Sequence, residues 1–219
     1  MDCGTIAARL RKEKSMHVAL IGATGAVGER LSAELLSRGH RLTAISTHPE
    51  LVPPSDDATA VYGDINDAES MAEVLRGHDV VVSCVQFAKY DHEALIEAAR
   101  ASEVPRYFVC GGSGTLLAPG TTTRLMDTPA FPANYLPAAR PAAAFFDRLR
   151  QEPDLSWTYI SPPPGFAPGE RTGVFRVGGD ELLVGPDGTA AISYEDYAIA
   201  VVDELERPQH SGTRFTVGY

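Results

Sequence analysis

Lysine is nearly missing from this chain. Lys12, Lys14 and Lys89 are its only three, against 29 aspartates and glutamates and a formal charge of −10. So acidic a balance, with no basic cluster, excludes nucleic acid as a partner, because holding a phosphate backbone takes grouped cations. Cysteine is scarce as well. Cys3, Cys84 and Cys110 have no paired spacing, and two of them fall inside expected strands, so they read as reduced core thiols of a cytoplasmic protein. No apolar stretch approaches the roughly 18 residues of a membrane helix. His17, His40, His48, His78, His92 and His210 lie far apart without ligand spacing, which leaves no expected metal site. A nucleophile elbow and a Ser-His-Asp pattern are also missing. Residues 1–15 have basic side chains but neither an apolar core segment nor a small-residue cleavage site. They are expected to form a frayed, disordered extension, with Met16 as an alternative start.

What the chain does have is a glycine turn. Residues 16–21 form a short apolar run, and G-A-T-G-A-V-G follows at 22–28. After it comes a segment with Leu31, Leu35 and Leu36 at helical spacing and a stop at Gly39. A strand that turns on glycines into a helix opens a dinucleotide-binding fold. One glycine permits the tight turn, another the approach of a pyrophosphate, and the last the packing of helix on strand. The helix N-terminus supplies amide donors to the anion.

Strands and helices alternate from there. Strands are expected at 41–46, 58–62, 79–85 and 106–110, with helices at 67–75 (capped by Asp67) and 91–101. That order implies α/β architecture: a doubly wound parallel sheet with right-handed crossovers. The second half is less regular. It offers a helix within 137–151, a strand at 155–160, a hairpin from 173–177 and 181–184, a helix opened by Ser193, and a last strand at 214–217. Residues 16–219 read as one domain, with a small C-terminal substrate-side lobe drawn mainly from 113–190.

Three phrases in register carry a family resemblance: G-x-x-G-x-x-G at 22–28, G-D-I at 63–65 and S-Y-E-D-Y-A at 193–198. With A-P-G-E-R-T-G at 167–173 and the ending R-F-T-V-G-Y, the chain resembles an atypical short-chain dehydrogenase/reductase, of the NAD(P)H-dependent flavin-reductase and NmrA-like branch. The resemblance implies that Gly22, Thr24, Gly25, Ala26, Val27 and Gly28 hold the pyrophosphate. It implies that Asp64 and Ile65 contact adenine, that Cys84, Val85 and Gln86 lie beside the nicotinamide ribose, and that Gly111, Gly112 and Ser113 lie beneath the ring. Thr47 and His48 occupy the place that reads the adenosine ribose. The family commonly has an arginine where this chain has Thr47, but the end of the second strand, Ser46-Thr47-His48, has no acid until Glu50, so NADPH is favoured and NADH stays open. Arg30 or Arg41 are the expected substitutes for the missing arginine.

Ordinary members of that superfamily use Tyr-x-x-x-Lys to exchange a proton with a carbonyl. No tyrosine here has a lysine four residues later. Hydride transfer to a flavin or quinone needs no such pair, since solvent supplies the proton. The expected activity is therefore hydride transfer from NAD(P)H to a flat conjugated small molecule such as FMN, FAD or a quinone. Ser113 and Tyr135 are the candidate catalytic residues. Ser113 reads equally as a turn hydroxyl, and Tyr135 as a packing side chain. The alternative is a non-catalytic NmrA-like sensor that reports dinucleotide state to a protein partner.

Overall fold

A computed structural model describes residues 15–90 and 92–219. Strand β1 (His17–Ile21) leads through the glycine turn into α1 (Ala26–Ser37). Then follow β2 (Arg41–Ser46), β3 (Ala58–Tyr62), α2 (Ala68–Leu75), β4 (Val80–Ser83), α3 (His92–Ala101) and β5 (Tyr107–Cys110). Short 3-10 turns fill the way to α4 (Leu136–Leu149) and β6 (Trp157–Ser161). The chain closes with β7 (Gly165–Ala167), β8 (Arg176–Gly178), β9 (Ala191–Ser193), α5 (Tyr194–Glu206) and β10 (Thr213–Gly218). The main sheet has the order β3-β2-β1-β4-β5-β6-β10-β8, parallel throughout except at its β8 edge. This is the doubly wound Rossmann-type arrangement, whose strand order reverses between β1 and β4.

Alternation within each strand builds two cores. Val18 and Leu20 of β1, Val80 and Val82 of β4 and Phe108 of β5 meet Leu31 and Leu35 of α1 and Val201 and Leu205 of α5. The residues between them, Ala19, Ile21, Val81 and Val109, meet Met71, Leu95, Phe145 and Phe146 of α2, α3 and α4 on the other face. Both faces of each central strand are thus covered, which is why these strands are short continuous apolar runs. Each fully buried aliphatic side chain stabilises the fold by about 1.5–3 kcal/mol. The two expected caps form: Asp67 accepts from the Ser70 amide and Ser193 from the Asp196 amide, both at 3.0 Å.

Three expectations need correction. Strand β4 ends at Ser83 rather than at 85: Cys84 still donates to Ile21 O, then the chain leaves the sheet to form a lip of the groove described below. The expected hairpin of 173–177 with 181–184 does not form. Instead β8 pairs antiparallel with β10, and Glu181 forms an isolated parallel bridge with Leu117. Just after the Gly178-Gly179 break, the Arg214 guanidinium holds the Asp180 carboxylate at 2.5 and 2.9 Å, which keeps this segment beside β10. The parallel pair β7–β9 was not anticipated, because two three-residue strands leave no period to read. Residues 1–14 of the expected extension lie outside the described residues. Ser15 donates to Gly39 O at 2.8 Å.

At the amino end of β1, His17 and His78 share the Thr43 hydroxyl, at 3.1 and 2.7 Å, with ring centroids 4.2 Å apart. His78 Nδ1 meets Leu75 O at 3.0 Å, so as a donor it leaves Nε2 to accept the Thr43 proton, while Thr43 Oγ1 accepts from His17 Nε2. Burial pushes the His17 pKa below its ordinary 6.5, His78 and Arg41 push the same way, and Asp79 opposes them. An imidazole with a depressed folded pKa binds its proton more readily in the unfolded chain, so stability drops as pH falls from about 7 through that value. A His17→Gln variant should show a shallower loss of melting temperature between about pH 7 and 5 than the parent. An identical pH profile in the two proteins would remove His17 from the account.

Candidate functional site

The glycine turn lies on the seam between β1 and β4. Gly22 has φ +87°, and a Cβ there would overlap the Cys84 carbonyl oxygen. A Cβ on Gly28 would overlap the Gly22 carbonyl. Both positions therefore admit only hydrogen, and together they draw the start of α1 onto the strand ends. Gly25 differs. Its Cβ would meet nothing closer than Gly22 O at 3.3 Å, and it caps α1 without a side-chain acceptor. The first-turn amides are thus left for an external acceptor, as an anion site requires.

Around this turn runs a groove of about 260 Å³. Gly22, Thr24, Gly25, Thr47, His48, Ile65, Cys84, Val85 and Gln86 line it, as does Ser46, whose hydroxyl meets Thr24 Oγ1 at 2.8 Å and accepts from the His48 amide at 3.0 Å. Ser46 thereby ties the glycine turn to the end of β2. Ile21, Ile45, Gly63, Lys89 and Tyr90 also line the groove and had not been anticipated. Among the described residues, no aspartate or glutamate lines it. A dinucleotide's diphosphate fits such a place: open helix amides, a glycine cradle and no opposing carboxylate.

Other expected residues stand differently. Ala26, Val27 and Gly28 form the first turn of α1, so it is their backbone amides rather than their side chains that face an anion in the groove. The Asp64 carboxylate is outside the groove, accepting from the Asn66 amide and side chain, both at 3.0 Å, as a turn residue does. Gly111 makes room for Tyr159, whose ring would overlap a Cβ there. The Tyr159 hydroxyl accepts from Gly112 N at 3.3 Å, and burial drives its phenol well above the ordinary range. Cys110 is buried beside Cys84, and burial pushes its thiol well up too.

At Gln86 the groove meets a cavity of about 840 Å³. Gly112 and Ser113 lie on its wall, with Phe87, Leu125, Phe131, Tyr135, Ala142 and Phe166. None of its lining residues is charged and none is a histidine. The Ser113 hydroxyl has no hydrogen-bond partner among the described residues, which disfavours its reading as a turn hydroxyl. Tyr135 is 60% exposed at the mouth. Residues 169–173, which follow β7, are pinned by carboxylates. Glu195 accepts from Gly169 N at 2.8 Å and from Arg30 Nε at 3.1 Å. Glu34, on α1, pairs with Arg171 at 3.0 Å and with Arg38 at 2.8 Å. Burial pushes the Asp196 carboxyl up, but bonds from Thr172, Gly173 and Tyr219 outweigh it and hold the group below its usual value. Among the described residues, no helix is long and apolar enough to cross a membrane, and no group of three His, Cys, Asp or Glu is arranged to hold a metal.

Residues 22–208 match the model of the NAD(P)H-binding family. The chain belongs to that family, within the atypical short-chain dehydrogenase/reductase-like proteins. It is 40% identical over 211 residues to the uncharacterized protein YwnB of Bacillus subtilis, covering 92% of this chain and 98% of that one. A candidate epimerase from Bacteroides thetaiotaomicron is 36% identical, with a TM-score of 0.88 and 94% and 97% of the two chains covered. A candidate NADH-flavin reductase from Streptococcus pneumoniae is 32% identical, with a TM-score of 0.79 and coverage of 93% and 99%.

The three glycines now separate folding from binding. Gly25→Asp should keep the parent's melting temperature within a few degrees, since its carboxylate can cap α1, while affinity for NADH and NADPH in calorimetry falls below detection. Gly28→Ala should instead lose about 1–3 kcal/mol of stability through overpacking. Full nucleotide binding by the Gly25→Asp protein would move the cofactor site elsewhere.

Proposed function

We propose that the chain is an NAD(P)H-dependent oxidoreductase that passes hydride to a flat, conjugated small molecule, a flavin or a quinone, held in the apolar cavity. The observation that carries this reading is the meeting of a carboxylate-free groove with a large uncharged cavity at Gln86, beside Gly112 and Ser113. When bound in the groove, the reduced cofactor supplies two electrons as hydride, and solvent supplies the proton that completes the acceptor's reduction.

The residues' part is positional. Gly112, whose Cβ would meet nothing nearer than Ala142 at 3.9 Å, leaves open space where a ring can rest against backbone. Ser113 offers one unpartnered hydroxyl to orient a carboxamide or an acceptor carbonyl. Phe87, Phe131 and Phe166 supply aromatic walls, and the cavity lining holds no lysine and no carboxylic acid to act on a carbonyl in the manner of Tyr-x-x-x-Lys. The similarity to the streptococcal candidate NADH-flavin reductase supports the same acceptor class. The free thiols of Cys84 and Cys110 suit a reducing compartment, in keeping with a cytoplasmic enzyme.

The test is an acceptor screen with purified protein, following loss of reduced-nicotinamide absorbance with FMN, FAD and soluble quinones. Turnover with at least one is expected. Gly112→Val should abolish it at an unchanged melting temperature, and Ser113→Ala should lower kcat/KM about tenfold. Dinucleotide binding without turnover across the panel would favour the sensor reading, in which the cavity serves no acceptor.

A further inference from the structure

Resting on that reading of the groove, we infer that Lys89 is the specificity-determining cation for the adenosine 2′-phosphate, and that it makes NADPH the preferred cofactor. NADPH and NADH differ by one phosphate, so the choice between them is electrostatic. The protein carries a formal charge of −10, and its field repels the more highly charged nucleotide unless something local attracts it.

The cations first expected to do so are engaged or distant. Arg30 is bound to Glu195 at 3.1 Å and to Glu29 at 3.4 Å. Arg41 begins β2 at the end of the sheet away from the groove, about 16 Å along the strand from Ser46. Lys89 remains. It lines the groove together with Thr47 and His48. Strand β1 lies between β2 and β4, so the loop after β2 and the loop after β4 form opposite lips of one crevice. Lys89 is exposed and its ammonium has no ion pair among the described residues; only its backbone amide is engaged, donating to Gln86 O at 3.1 Å.

Among the described residues, no carboxylate lines the groove to oppose a phosphate there. The nearby carboxylates have other occupations, Glu50 with His48 at 3.2 Å and Asp64 with Asn66. A lysine suits the role, being a point charge on a flexible stem that can reach from one lip to an anion resting on the other. Where the family commonly uses an arginine beside the ribose, this chain has placed its one groove-lining lysine across from the ribose.

Calorimetric titration of the parent, Lys89→Gln and Lys89→Arg with NADPH and with NADH tests this directly. The parent should bind NADPH more tightly, with a preference that narrows as ionic strength rises. Lys89→Gln should weaken NADPH by roughly 10- to 100-fold and NADH by less than about threefold, and Lys89→Arg should keep most of the preference. Equal weakening of both nucleotides would place Lys89 on the diphosphate and overturn the inference, as would unchanged affinity for both. Retained NADH binding in those cases would leave the groove reading intact. A parent that binds neither nucleotide would overturn both.

Discussion

Between Gly22, Gly28 and the Cys84 carbonyl there is room for hydrogen and nothing larger. That restriction sets how closely α1 approaches the ends of β1 and β4, and the rest of the site is built on the approach. It aims the first-turn amides of α1 at the crevice, and it leaves Gly25 as the glycine of the turn that packing does not require, since a Cβ there would meet nothing closer than Gly22 O at 3.3 Å. The crevice stands where the strand order reverses, because crossovers to opposite faces of the sheet leave the loops after β1 and β4 apart.

Negative charge is managed by location. The acidic residues that face inward are used as anchors: Asp196, Glu195 and Glu34 hold residues 169–173, which would otherwise have little apolar burial to fix them. Each of these carboxyls is held below its ordinary pKa by partners that outweigh the penalty of burial. The groove and the cavity, by contrast, have no carboxylate among the described residues of their walls. The proposed anion site of this acidic protein thus stands apart from these anchoring acids.

The two halves of the site follow different logic. The groove is made of backbone and small polar groups at the ends of paired strands, so its shape is inherited from the sheet. The cavity is made of residues from the loop after β4, the turns before α4, α4 itself and the segment of β7, four segments that only packing brings together. Aromatic contacts lock this region: Phe87 is 5.3 Å from Phe145, and Phe166 is 4.5 Å from Tyr194.

The sequence by itself determined the sheet, its winding and the glycine turn, because local periodicity, apolar runs and capping residues dictate those elements without distant partners. It located Gly22, Thr24, Gly25 and Gln86 in the groove for the same reason: they follow directly from strand ends. The tertiary structure alone decided the fate of Gly111, reserved for the Tyr159 ring. It also decided the pairing of β8 with β10, beside an Arg214–Asp180 contact across 34 positions, and the arrival of Lys89 opposite His48. Contacts between residues far apart in the chain leave no periodic trace in it, and only the folded packing brings such charges and rings together.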